Sequence, residues 1–287
     1  TPHTGITLTY SFPRIVPPGA SEDDARGFRP MSLVQQEGVR AALAEWAAVA
    51  NIVFVEVESE GNIVFASNDQ GDRTDAYAYL PDAVERYTSA VLTNTRSPLD
   101  VHMAPGEAGF TILLHEIGHA LGLKHPGYYE GADDATGGPY LPGHLDNRAY
   151  TQMSYHGADS LELVGKEGLT PMLYDVQAIQ YLYGANQSWH SGDDVYTFET
   201  SSAPRTIWDA GGFNVFDFSA CTLGATIDLR PGELSSTCAG ADNIAIAYGA
   251  SVQKAITGFG SDTIHASDAG SIIESGAGAD TIHGGAG

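Results

Sequence analysis

Apolar and polar residues alternate over residues 5–12, with Ile6, Leu8, Tyr10 and Phe12 on one side, and a period of two predicts a strand. Residues 17–30 break that pattern with prolines and acids and are expected to form a surface loop. At Ser32, a side chain suited to capping, the spacing becomes helical, and Val39, Leu43, Trp46 and Ala50 fall on one face. Two short strands are predicted at 52–57 and 62–66, followed by a polar loop at 67–74. Residues 75–81 predict another strand, and Pro81 stops further pairing there, as suits the edge of a sheet. Helical spacing returns over 110–121, and Gly122 can adopt the left-handed conformation that ends a helix. Residues 126–150 are loop, rich in Gly, Pro and Asp, with Asp133, Asp134 and Asp146 expected on solvated surface. A last helix is predicted to open at Thr170-Pro171 and to run through Asp175 and Tyr183 to Gly184.

Beyond Gly184 the helical period disappears and short strands with Gly and Asp turns take over, so a domain of residues 1–184 and another of 185–287 are expected. Near the end the period becomes nine. Units begin at 257, 266, 275 and 284, and Ile264, Ile273 and Ile282 occupy the same place in the first three. This fits a repeat in which a large apolar residue points into a narrow parallel roll while a Gly- and Asp-containing turn binds calcium. Gly258, Gly260 and Asp262 in unit one, and Gly276, Gly278 and Asp280 in unit three, are the candidate ligands. Ser271 replaces the aspartate in unit two, and unit four is broken. Two units should make one full turn, which stacks unit one on unit three. Calcium is therefore expected on the Asp262 side and not between Ser271 and Gly287.

Composition narrows the classes of partner. Among 287 residues, 36 acidic against 13 basic side chains give a formal net charge of -23, and Lys124, Lys166 and Lys254 are the lysines. Such a balance repels nucleic acid and anionic membrane surfaces and suits a soluble binder of divalent cations. No apolar run approaches the length that crosses a bilayer. Cys221 and Cys238 either pair, which would stabilise by roughly 3 kcal/mol in the chain-entropy treatment, or remain two buried thiols.

The chemistry concentrates in His115-Glu116-Ile117-Gly118-His119-Ala120-Leu121-Gly122-Leu123-Lys124-His125. Residues four apart on a helix face the same way, so His115 and His119 present two imidazoles to one point. Glu116 can reach a water held there. A turn at Gly122 lets His125 approach as a third nitrogen ligand. Three protein ligands leave one zinc position open, which is the catalytic rather than the structural arrangement.

The full string, with Met153 downstream, resembles that of the metzincin metalloproteases, and His125-Pro126 followed by Met153-Ser154-Tyr155 is similar to the serralysin subgroup. The resemblance implies an α+β metzincin protease domain followed by an all-β calcium-binding β-sandwich and parallel β-roll. It implies a secreted, monomeric zinc endopeptidase acting on proteins or peptides, with Zn2+ for catalysis, Ca2+ for structure and Glu116 as general base. Met153 would be the apolar floor of the Met-turn. Tyr155 would ligate zinc in the resting enzyme and later donate to the oxyanion. Ala76, Tyr77, Ala78 and Tyr79 would form the edge strand that pairs with substrate. The turns around His190, Gly192 and Asp194 and around Asp209 and Gly211 resemble two that share a calcium ion, with Asn214 where an aspartate is usual. Serralysins usually lack cysteine, so the pair here is a departure. They export themselves with a signal beyond the repeats, and a trimmed form is expected. The rival reading is a calcium-dependent binding or adhesion module with an idle metal site.

Overall fold

The computed structural model describes residues 4–72, 74–81, 89–129, 137–162, 165–238 and 240–286. Asp133, Asp134 and Gly287 lie outside them. The chain divides into two compact units, one made of Thr1–Tyr140 with Ala178–Ala185, the other of Leu141–Gln177 with Asn186–Gly287. Residues 141–177 group with the C-terminal half because Leu169 N–H donates to the Pro204 carbonyl and Thr206 N–H to Thr170 Oγ1.

The first unit is mixed α/β. Its strands are β1 (Ile6–Ser11), β2 (Ile52–Glu56), β3 (Ile63–Asn68), β4 (Ala76–Ala78) and β5 (Ser89–Asn94), in sheet order β2-β1-β3-β5-β4. All pairings are parallel except β4 with β5, so the expected strand at 75–81 is the antiparallel edge. The strand β5, which lies between β3 and β4, is not among those expected from the sequence.

Helix α2 (Leu33–Val49) begins as expected: Ser32 Oγ accepts from Gln35 N–H, and Gln35 Oε1 accepts in return from Ser32 N–H. Its buried face, with Val39, Leu43 and Trp46, and that of α3 (Ala108–Ala120), with Phe110, Leu113, Leu114 and Ile117, supply much of the core. The surface loop expected at 17–30 is more ordered than its prolines suggest. It holds the short helix α1 (Glu22–Ala25), and Arg29 bridges to Ser67 through two main-chain hydrogen bonds of 2.7 and 3.0 Å.

The second unit holds α4 (Asp159–Glu162) and a series of short strands. Helix α5 (Leu173–Tyr183) spans the division between the units. It starts at Leu173 rather than at Pro171, because Asp175 turns back to accept the N–H of Met172 at 2.8 Å. The strands are β6 (Val195–Thr197), β7 (Arg205–Ile207), β8 (Val215–Asp217), β9 (Thr226–Asp228), β10 (Leu234–Ser235), β11 (Ile244–Ile246), β12 (Lys254–Ile256), β13 (Thr263–His265), β14 (Ile272–Glu274) and β15 (Thr281–His283). Two stacks are wholly parallel, β14-β12-β8-β6 and β15-β13-β9, while β10-β11-β7 is mixed. Ile227, Ile264 and Ile282 stand in register across the second stack. Ile264, with a strand on either side, is fully buried, whereas Ile282 on the outermost described strand is 52% exposed. Phe198, Phe216 and Phe218 pack at centroid distances of 4.5–6.1 Å as the aromatic core. Cys221 and Cys238 are free thiols, and burial pushes Cys221 up to about 11. Among the described residues no helix is long and apolar enough to cross a membrane.

Candidate metal centre

The end of α3 is shaped by hydrogen bonds that bring His125 back. Gly122 N–H donates to His119 carbonyl at 2.8 Å and Leu123 N–H to Gly118 carbonyl at 2.9 Å, the reciprocal pair of a Schellman ending. This needs a left-handed residue, and Gly122 has φ +100°. Tyr183 hydroxyl also donates to the Leu121 carbonyl at 2.9 Å, fixing the same turn.

The result is a cluster of three imidazole nitrogens. His119 Nε2 lies 3.1 Å from His115 Nε2 and 3.1 Å from His125 Nε2, and the latter two are 3.3 Å apart. His119 Nδ1 is 2.9 Å from the Leu123 carbonyl, so Nδ1 carries the proton and Nε2 presents a lone pair. Lone pairs converging this closely repel unless a cation lies between them. Nitrogens about 2.0–2.1 Å from a tetrahedral zinc stand about 3.3–3.4 Å apart, so the donor set and spacing fit that ion. Among the described residues this is the one cluster of three or more potential metal-ligating side chains.

Glu116, next to His115 on the helix, is buried, and its Oε2 has no hydrogen-bond partner among the described residues. Burial alone pushes its carboxyl up to about 8. Burial also lowers the pKa of His119, which favours the neutral ligand form.

The turn carrying Met153 and Tyr155 belongs to the other unit and is anchored there by Asp175. Thr151 hydroxyl donates to Asp175 Oδ1 at 2.5 Å, Gln152 N–H donates to Oδ2 at 2.7 Å, and Met153 N–H returns to Thr151 Oγ1 at 3.0 Å. Met153 is buried, while Tyr155 is 56% exposed. Ser154 hydroxyl donates to Asp146 Oδ1 at 2.7 Å, so Asp146 is buried rather than solvated. Sequence reasoning missed Asp175 as an anchor, although an acid in the first turn of a helix was the available signal.

At the sheet edge, Tyr79 N–H donates to Ala90 carbonyl and Asn94 N–H to Asp75 carbonyl. In an antiparallel pair such groups alternate from side to side. The main-chain N–H and C=O of Ala76 and Ala78 therefore face away from β5, on the edge of β4 that pairs with no other strand among the described residues.

The candidate calcium residues divide by how fully they are engaged. Asp262 is buried; its Oδ1 accepts from Ala225 N–H at 2.7 Å, and Oδ2 has no hydrogen-bond partner among the described residues. Asp262 N–H in turn donates to Oδ1 of Asp280, eighteen residues on. Gly278 has φ +145°, and a Cβ there would sit 1.5 Å from the Gly260 carbonyl, so the stacked turns tolerate only glycine at this point. The paired turns upstream also meet, through Phe213 N–H on Asp193 Oδ1. Asp209 accepts from Tyr196 hydroxyl and Gly211 N–H, His190 Nδ1 lies 3.0 Å from Asp194, and the Asn214 amide bonds to Asp194 N–H and the Ser251 carbonyl. Asn214 thus serves as a tie between turns.

Two histidines on one helix, a third brought back by the turn beyond it and a buried carboxylate beside them, in a mixed α/β unit of a chain that also forms parallel β-stacks, define a candidate metal-dependent hydrolase. Residues 174–285 match the family model described as Peptidase M10 serralysin C terminal. The chain is 34% identical to Serralysin of Proteus mirabilis over 93% of its length, 35% identical to Serralysin A of Dickeya chrysanthemi over 90%, and 34% identical to Metallopeptidase AprA of Pseudomonas marginalis over 94%. In sequence it is similar to serralysin-type metalloproteases over most of its length. It spans 60%, 58% and 62% of the length of those three relatives.

Proposed function

We propose that this chain carries a secreted, zinc-dependent endopeptidase acting on proteins and peptides, with a metzincin protease domain over residues 1–184 and a calcium-binding β-sandwich and roll over 185–287. The observation that carries the reading is the convergence of His115, His119 and His125 Nε2, with the buried Glu116, whose Oε2 lacks a hydrogen-bond partner among the described residues, next to His115 on the helix. Zinc held by the three histidines would polarise the scissile carbonyl and acidify a water at its open position. Glu116 would serve as the general base that takes a proton from that water and returns it to the leaving amine. The outward main-chain groups of Ala76 and Ala78 hydrogen-bond an extended substrate as an added strand. Tyr155 would be a further ligand of the resting metal and an oxyanion donor during reaction, a role supported by its place two residues after Met153. Calcium is assigned to the Asp262 turn, whose buried carboxylate oxygen lacks a partner among the described residues, and to the turns of Gly192, Asp209 and Gly211.

Hydrolysis of denatured casein, abolished by a zinc chelator, separates this from a calcium-dependent adhesion module with an idle metal site. Glu116→Ala is expected to retain zinc, measured by metal analysis, and to lose casein hydrolysis. Substantial turnover by the purified variant would sink the assignment.

A further inference from the structure

The β4 edge is short, three residues, and among the described residues is paired on one side only. A strand of this kind is poorly ordered unless something besides its neighbour holds it, and ordering it when a peptide arrives costs affinity. Its side chains alternate between faces, so Tyr77 and Tyr79 share one face. Both tyrosine hydroxyls donate to a single atom, Oδ1 of Asp24, at 2.5 and 2.9 Å, across 53 and 55 residues of chain. The two rings meet edge to face at 5.7 Å, and Asn68 Nδ2 donates to Tyr77 Oη at 2.9 Å.

The carboxylate is itself aimed. Ser21 N–H donates to Asp24 Oδ2 at 3.3 Å while Asp24 N–H donates to Ser21 Oγ at 3.0 Å, the capping box that starts α1. One oxygen is held by the cap and the other faces the tyrosines. Helix α1 is in turn fixed to the sheet, because Asp69 N–H donates to Arg26 carbonyl at 2.9 Å and Arg29 bridges Ser67. The loop at 17–30 is therefore a strap that carries a charged acceptor to one face of β4.

We propose that Asp24 is a positioning residue for substrate: through the Tyr77 and Tyr79 hydroxyls its carboxylate holds β4 so that the Ala76 and Ala78 main chain meets an extended peptide already ordered. The inference rests on the reading that substrate pairs with β4. Hydrogen bonds to an ionised acceptor are the strong kind, which suits a clamp on a strand that would otherwise fray.

The test compares the zinc-loaded chain with Asp24→Ala, Asp24→Asn and the double variant Tyr77→Phe/Tyr79→Phe. Amide hydrogen exchange at Tyr77 and Tyr79 is expected to quicken in Asp24→Ala and in the double variant. KM for a long peptide spanning β4 should rise by about tenfold with kcat held, the scale of one charge-assisted hydrogen bond. A substrate too short to reach β4 should show no rise in KM. Asp24→Asn, which keeps an acceptor in place, should fall between wild type and Asp24→Ala. Joining Asp24→Ala to the double variant should add nothing, since both remove one contact. Unchanged exchange in both disrupted variants overturns the clamp, as does full additivity of their effects. Faster exchange with KM unaltered at every peptide length overturns the positioning role of Asp24, whereas the pairing of substrate with β4 fails separately, if bound peptide does not slow exchange at Ala76 and Ala78. If Asp24→Ala fails to fold, the tyrosine variant decides the matter by the same two measurements, since it leaves the α1 cap intact.

Discussion

At Asp175, burial and hydrogen bonding pull in opposite directions. Burial dominates and raises the carboxyl from 3.8 to about 6, although Thr151, Gln152, Met172 and Met153 all stabilise the charged form. An acid whose pKa is raised on folding contributes stability that is complete below about 3.8 and is lost as pH rises through about 6, roughly 3 kcal/mol in all. Asp175→Asn removes this dependence and turns an amide donor toward hydrogen-bond donors. The variant should therefore be less stable than wild type at acidic pH, by about 1–3 kcal/mol, with the gap narrowing as pH rises from about 3.8 to about 6. Urea unfolding at both ends of that window measures it, and a difference independent of pH would show that the group is not raised. At Tyr155 the expectation is kinetic. Loss of one oxyanion donor lowers kcat by about 10² to 10³, so Tyr155→Phe should do the same with zinc content intact, and an unchanged kcat would leave the tyrosine a packing residue.

Among the elements, α3 was the most legible because each of its signals is local. Four-residue spacing orients His115 and His119, and a glycine one step beyond the cap announces the turn to His125. Gly122→Ala should cost about 1–2 kcal/mol, the penalty of a Cβ in the left-handed region, and should loosen zinc because the turn sets the His125 ring. Thermal melting and zinc titration check both parts, and a variant with native zinc affinity would show that His125 is placed by other contacts. Helix α1 was the opposite case. Prolines and acids announced a loop, although Ser21 and Asp24 spell a capping box, and only pairing with β3 and β4 makes so short a helix persist. β5 escaped notice although it joins β3 to the β4 edge.

In the whole molecule, the nine-residue period carries furthest. Ile264 stands between β9 and β15, and Ile264→Ala should cost about 2–5 kcal/mol. Calcium should raise the melting temperature of depleted protein, by about 2.7 kcal/mol of stability at a hundred times the dissociation constant. Asp262→Ala should abolish one class of bound calcium in calorimetric titration while Ser271→Ala leaves the count unchanged, and the reverse pattern would put the repeats in the wrong register. The sequence alone determined what depends on neighbours within a turn or a repeat: the helix that bears two histidines, the glycine that ends it, and the stacking of unit one on unit three. Tertiary structure decided what joins distant segments. It set Asp24 against Tyr77 and Tyr79, fixed the Thr151–Met153 turn to Asp175, and engaged Asn214 as a tie between turns. The reason is physical: spacing in sequence fixes which way side chains point, but the partner of a buried polar group is chosen by the whole packing, which no local period encodes.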